Sequence, residues 1–491
     1  MSIAKQAARG VAWNMALGVS TRVLTLIGQL VLARYMLPED YGAATNASIV
    51  VLTANAFTAF SFGQYLIARR APAEVAFLAW VVHVALGLVA LAVVYPLRGP
   101  IGAWLDTPDM GKYVLGYAIA NLVIDRVRYV PERLIMRALR FRALATINGV
   151  GELAYMAAAL AVVRSWGAYA VVFGALVKSL VTSVLFLWAA PRREWLVRAR
   201  LRAADLRDLL GYGLPIMVAI ITDNATRRWD NLVVSRLFGA GVVGTYNYAY
   251  SLADTPISNV AEHIGEVLMP SFSRLEPEQR ERAAVRSASL MGLIVSPLGV
   301  GLGAVAPTLV AALFDARWGE YMPAMLGILS TMFVFRPMTW SVTAYVQAVQ
   351  RTRIIMVASM VRAVAVLALV AGLGYAGGPS WACVGAGLGF MLDCVVMIGL
   401  AGRVTALPAG AYLRGALQPL VPCVPMFLAV LGVQRALAAG GVSPIASLVV
   451  QIAVGAVVYI AGAFALVRPL VDELLRLARE ALGRRGAVDA G

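Results

Sequence analysis

Residues 11–35 read VAWNMALGVSTRVLTLIGQLVLARY, and residues 211–237 read GYGLPIMVAIITDNATRRWDNLVVSRL. Both are apolar runs of the length, about 20 residues, that a helix needs to cross about 30 Å of hydrocarbon. Near the middle of the first stands Arg22, and at similar depth in the second stand Arg227 and Arg228. An arginine at mid-bilayer costs about 2.5 to 3.5 kcal/mol on insertion scales. Three of them call for a polar cavity or partner that offsets roughly 8 kcal/mol, and that cavity is the best indication of function.

The remaining sequence repeats the same kind of run. Hydrophobic residues make up 60% of the 491 and charged residues 14%, with a mean hydropathy of +0.78. That composition excludes a soluble surface. Charged, Pro and Gly punctuation leaves about fourteen runs of roughly 20 residues. They cover 11–35, 43–68, 75–97, 113–131, 146–163, 168–188, 211–237, 241–268, 287–313, 323–346, 354–375, 381–401, 418–437 and 445–467. The expected fold class is an all-α polytopic membrane protein.

The formal charge of +16 is unevenly placed. Arg69/Arg70, Arg133/Arg137/Arg140/Arg142, Arg192/Arg193/Arg198/Arg200/Arg202/Arg207, Arg274/Arg280/Arg282/Arg286 and the tail from Arg468 fall in loops on one side. Lys and Arg accumulate on the cytoplasmic side of membrane proteins. Both termini are therefore expected inside, and topology accounts for the basic balance without nucleic acid. Trp104, Trp166, Trp318 and Trp381 fall near the opposite boundaries, where amphipathic rings favour the headgroup layer. Lys5 and Arg9 ahead of the first run suggest a secretory signal. The run is too long for one and ends in Arg34 rather than a small-residue cleavage site, so it reads as a retained helix. Cys383, Cys394 and Cys423 are odd in number and lie in or near predicted helices, which points to core packing rather than disulfides or metal.

A shift of 202 residues lays LVLARYMLPEDYG, from Leu30 to Gly42, over LVVSRLFGAGVVG, from Leu232 to Gly244. Arg34 then meets Arg236, and Gly42 meets Gly244. The match coincides with the exits of spans one and seven and indicates an internal duplication. Six crossings per copy is even, so the copies run parallel, and a binding site is expected between them. The expected organisation is a six-helix lobe over 1–200, a second over 201–403, two further helices within 404–467 and a basic tail over 468–491.

Helical spacing locates the polar faces. Span one carries Asn14, Gly18, Thr21, Arg22, Thr25 and Gln29 at intervals of three and four. Span seven carries Asp223, Arg227 and Asp230 in one row and Asn224, Arg228 and Asn231 in the next, and span eight carries Asn247, Ser251, Asp254 and Ser258. Arg22, Arg227, Arg228, Arg336, Asn14, Gln29, Asn224, Asn231 and Asn247 are the expected substrate-binding residues. Asp223, Asp230, Asp254, Glu262, His263 and Glu266 are candidates for ion coupling, His263 because imidazole titrates near neutral pH. Blander readings stand beside these. Asp223 and Asp230 flank Arg227 at helical contact distance, and Glu262, His263 and Glu266 also fit a solvated inner mouth. Asp125/Arg126, Lys178 and Arg362 with Asp393 fit internal ion pairs, and His83 fits a packing residue.

A guanidinium keeps its charge and grips phosphate bidentately, so an anionic head group, above all a diphosphate, is the natural guest. A head group rich in hydroxyls is very costly to move through hydrocarbon, so a hydrated cleft must replace its lost hydrogen bonds. No GxxxxGK[ST] motif is present, which leaves an ion gradient or downstream consumption as the energy source.

The motifs LARYMLPEDYG at the exit of span one, VSRLFGAGVVGTYNYAYSLADTP (Val234–Pro256), MPSFSRL (Met269–Leu275) and RALRFRALA (Arg137–Ala145) resemble those of the Wzx-type oligosaccharide flippases. These form part of the polysaccharide transporter family within the MOP superfamily. The resemblance implies two six-helix lobes that alternate between inward and outward openings. It implies transport of an undecaprenyl-diphosphate-linked glycan from the cytoplasmic to the periplasmic leaflet of the inner membrane, with glycosyltransferases and a polysaccharide polymerase as partners. Cationic cavity residues fit Arg22, Arg227 and Arg228, and residues 418–467 fit a groove for the polyprenyl tail. The alternatives within the superfamily are a lipid II flippase and an ion-coupled drug exporter. Drug-exporting relatives carry a carboxylate in the first helix, where this chain has an arginine. A glycan polymerase or glycosyltransferase would use the same substrates, but the longest external loop, about 98–112, offers only Asp106 and Asp109.

Overall fold

The computed structural model describes residues 28 and 30–477, apart from 61, 69, 70, 139, 198–201, 274 and 352. Among these residues the chain is helical throughout and contains no strand. Contacts divide it into two compact units, Met1–Gly244 and Thr245–Gly491. The division falls one helix later than the repeat boundary expected at residue 200.

In the first unit, α1 (Pro38–Phe57) opens with Pro38 at its first turn followed by Glu39 and Asp40. Proline there gives up a donor that would have no partner, and the acids favour the positive helix end. α1 stops at Thr58, and α2 (Phe62–Ala68) resumes after a four-residue break inside the expected second span. α3 (Ala73–Trp104) is followed by α4 (Gly111–Ala118), a π turn over Ile119–Ile124 and α5 (Asp125–Arg137), which together form the fourth span. The fifth and sixth are α6 (Phe141–Trp166) and α7 (Tyr169–Ala189). Leu32, Met36, Leu105, Met110, Tyr113 and Leu122 form part of one buried core. The external loop expected over 98–112 is shorter than anticipated, because α3 continues to Trp104 and a 3-10 turn occupies Pro108–Met110.

The seventh and eighth spans run together in α8 (Ala203–Ser273), which turns at Gly239, where φ is 79° and ψ is −176°. An L side chain rarely adopts that conformation, whereas glycine does so without a Cβ clash. Beside this turn the two copies of the repeated motif cross. A Cβ on Gly42 would lie 1.9 Å from the carbonyl oxygen of Ala240, and one on Gly244 would lie 2.0 Å from that of Pro38. The two glycines matched by the 202-residue shift thus let their backbones meet.

The second unit continues with α9 (Pro277–Leu313), α10 (Met322–Met332), α11 (Phe335–Ala348), α12 (Arg353–Gly377), α13 (Pro379–Val404), α14 (Ala409–Leu417), α15 (Cys423–Ala439) and α16 (Pro444–Leu466). Lipid is as apolar as leucine, so membrane helices associate through close packing and polar contacts rather than hydrophobic burial. α12 and α13 meet where a Cβ on Gly385 would lie 2.4 Å from Leu369 O. α15 and α16 are tied to α9 by Gln434 and Gln451, which donate to Thr308 Oγ1 at 3.1 and 2.9 Å, and by Tyr459, which donates to Leu293 O at 2.8 Å. The three cysteines are free and buried.

Trp104, Trp166 and Trp381 are 62%, 51% and 52% exposed, consistent with rings at a headgroup boundary. Trp318 is not. It is fully buried, packed on Tyr248 and Phe314 at centroid distances of 5.1 and 6.0 Å.

Candidate substrate site in the polar helices

Eight helices among the described residues are long and apolar enough to cross a membrane: α3, Arg142–Trp166 of α6, α7, α9, α12, α13, Ala409–Ala439 and α16. They correspond to the third, fifth, sixth, ninth and eleventh to fourteenth expected spans. The second, fourth and tenth are too polar or too interrupted to qualify, the seventh and eighth contain side chains outside the described residues, and the first lies mostly outside the described residues. A step of six spans pairs second with eighth, fourth with tenth and first with seventh. On the expected repeat, the fourth and tenth spans, both interrupted, fall at matched positions.

In the first unit the second and fourth spans are joined by Arg126, which is 1% exposed. Its Nη2 donates to Asn55 Oδ1 and Thr58 Oγ1, both at 2.6 Å, and to Asn55 O at 3.2 Å. Its Nη1 donates to Thr58 O at 3.1 Å and lies 3.1 Å from His83 Nδ1. These acceptors close the C-terminal end of α1, where unpaired carbonyls and the helix dipole favour a cation. Arg126 does not pair with Asp125, as expected from sequence. Asp125 accepts from Arg128 Nε at 2.7 Å instead. Across the break, Tyr129 of α5 accepts from Gly63 N at 3.2 Å. His83 is buried and stacks on Tyr129 at 4.1 Å, as a packing residue would. Beneath the glycine crossing, Asn46 Nδ2 donates to Thr107 Oγ1 and Ser235 Oγ at 3.0 and 2.6 Å.

On the first arm of α8, Arg227 is exposed and Arg228 half-buried. Asp230 is turned inward at 1% exposure, and its Oδ1 accepts from Asn231 N and Nδ2 at 2.9 and 3.1 Å. Asn231 is buried, and Asn224 donates to Ile220 O at 3.2 Å, so both asparagines are engaged within their own helix. Trp229 Nε1 donates to Thr53 Oγ1 at 3.2 Å. Asn14, Arg22 and Gln29 lie outside the described residues, as do the side chains of Asp223, Glu262, His263 and Glu266.

In the second unit the eighth and tenth spans are joined by Arg336. This residue stands just after the interruption between α10 and α11 and forms an ion pair through Nη1 with Asp254 Oδ1. The same oxygen accepts from Ser258 Oγ at 2.6 Å. The guanidinium lies over Phe390, Phe333 and Tyr250, with centroid distances of 4.7, 5.3 and 5.9 Å. Aromatic faces attract a cation without neutralising it. Asn247 is half-buried on the same arm of α8. Arg362 pairs with Asp393 at 3.2 Å, and Lys178 of the first unit pairs with Glu152; both are internal pairs, as expected. Among the expected residues, the structure brings Arg336 and Asp254 together. The aromatic surround of Tyr250, Phe333 and Phe390 was missed, and its only sequence signal was an aromatic residue three positions from Arg336.

These features define a polytopic, all-helical membrane protein. The sequence profile of the family described as polysaccharide biosynthesis protein matches residues 31–323. The chain belongs to that family. The lipopolysaccharide biosynthesis protein WzxC of Escherichia coli is 26% identical over 331 residues, a match spanning 66% of each chain. The succinoglycan biosynthesis transport protein ExoT of Rhizobium meliloti is 24% identical over 97% of this chain and 96% of its own. In fold, the lipid II flippase MurJ in an inward closed conformation superposes with a TM-score of 0.74 at 14% identity, covering 94% of this chain and all of that one. An inward-facing MATE family transporter of the MOP superfamily gives 0.60 at 17% identity, covering 80% and 96%. The Wzx-type resemblance carried by the motifs is thus supported over most of the chain.

Proposed function

We propose that the protein flips a polyprenyl-diphosphate-linked oligosaccharide, the repeat unit of a polysaccharide or O-antigen, from the cytoplasmic to the periplasmic leaflet by alternating access. The observation that carries this reading is the placement of Arg227, exposed, and Arg228, half-exposed, on the first arm of α8. A guanidinium in that position needs water or an anion rather than acyl chains. A diphosphate meets the need with two charged groups, while the lipid tail stays in the bilayer.

The names of the relatives place them in polysaccharide biosynthesis and, for ExoT, in transport, which supports a transporter over an enzyme. Basic loops on one side orient both termini to the cytoplasm, in the inner membrane. No cofactor is required, and Asp254 is the coupling candidate whose surroundings are best defined. Glycosyltransferases and a polymerase would supply and consume the lipid-linked glycan.

The test is export in cells carrying Arg22→Ala, Arg227→Ala and Arg228→Ala together. Surface glycan should disappear while the protein persists in the membrane at its normal level. Full export by the triple variant would reject the cationic cavity, and loss of the protein would show that these arginines serve folding.

A further inference from the structure

The first turns of α8 carry a feature that the flippase reading does not use. Arg207, Leu210, Gly211 and Leu214 recur at intervals of three and four and therefore share one helix face. With Phe60 from the break between α1 and α2, and with Leu206, they line a cleft of about 430 Å³. A second cleft of about 550 Å³ adjoins it at Arg207 and Gly211 and also contains Asp208. The row runs from a charge at the expected start of the membrane segment to leucines within it. Leu214 is 51% exposed. The neighbouring carboxylate, Asp208, accepts from the Tyr65 hydroxyl at 2.6 Å. Arg207 has no ion pair among the described residues, and exposed Arg192, Arg193 and Arg202 precede it in the chain.

We infer that this cleft is a binding site for an anionic phospholipid of the cytoplasmic leaflet. Arg207 would grip the phosphodiester, and an acyl chain would lie along Leu210 and Leu214 against Phe60. Charge complementarity selects the occupant. A basic group at the membrane boundary, above an apolar trough that points into the bilayer, matches a phosphate joined to a hydrocarbon chain. The trough is open at Gly211, where a Cβ would meet nothing within 4 Å.

The test is native mass spectrometry of the full-length protein offered phosphatidylglycerol and phosphatidylcholine of matched chain length. The wild type should retain phosphatidylglycerol at least five-fold over phosphatidylcholine. Arg207→Gln should abolish that preference, and Gly211→Leu, which fills the trough, should lower retention of both lipids. Thermal unfolding of both variants should match the wild type. An undiminished preference in Arg207→Gln would overturn the assignment. Displacement of phosphatidylglycerol by farnesyl diphosphate would overturn it too, because the cleft would then belong to the transported substrate.

Discussion

Arg126 and Arg336 stand in corresponding spans of the two units, each just after an irregular turn and each reaching across to the neighbouring polar helix. Their partners differ in kind. Arg126 is enclosed by backbone carbonyls, an amide, a hydroxyl and an imidazole, all neutral acceptors belonging to an interrupted helix. Arg336 pairs with the Asp254 carboxylate and lies over aromatic faces. A ligand anion cannot take the place of a helix end without unpairing several carbonyls. It can take the place of a carboxylate, because phosphate and carboxylate compete for the same guanidinium geometry. On the proposed function, the arginine of the fourth span acts as a structural clamp and that of the tenth span as an exchangeable charge.

The largest expected effect concerns the clamp. Arg126→Ala takes the guanidinium donors away from the half-buried acceptors of Asn55 and Thr58, at up to about 1 to 3 kcal/mol for each partner lost. Thermal unfolding in detergent should drop steeply, and Arg126→Lys should fail to restore it, since one ammonium cannot span the same acceptors. An unchanged melting temperature would erase the distinction between the two arginines.

A charge exchange sharpens it from the other side. Arg336→Asp combined with Asp254→Arg retains a pair, so membrane level and melting temperature should recover relative to either single change. Export should stay at least ten-fold down, the scale of one charge-assisted hydrogen bond lost to the substrate. Recovery of export along with stability would make Arg336 a second clamp.

The smallest effect lies outside both spans, at Asp315. Its hydrogen bond to Arg317 holds the carboxyl below the usual carboxylate range. The contribution is present above the ordinary aspartate value and is lost as pH falls through the depressed one. Asp315→Asn should therefore lower melting only slightly at neutral pH, and the difference should vanish only once pH falls below the depressed carboxyl value.

The all-helical membrane class was legible in the sequence, because membrane length and helical spacing act within one segment. The crossing of Gly42 and Gly244 was foreshadowed by their alignment. Partners drawn from other helices were not legible. Arg126 follows Asp125, but adjacent residues on a helix diverge by about 100°, and its acceptors come from residues 55 and 58. Trp318 looked like a boundary ring because it falls near the end of an expected span, whereas Tyr248 and Phe314, remote in sequence or separated by a turn, enclose it. The carboxylate of Asp254 was picked out by its stripe, but its pairing with Arg336 depends on packing between helices.

The most direct measurement is translocation in reconstituted vesicles, with a polyprenyl-diphosphate-linked oligosaccharide placed in one leaflet and its appearance in the other followed over time. Wild-type protein should move the lipid, and Arg227→Ala/Arg228→Ala protein of equal stability should leave it where it was placed. Equal rates for the two proteins would contradict the claim that these guanidinium groups hold the diphosphate during passage.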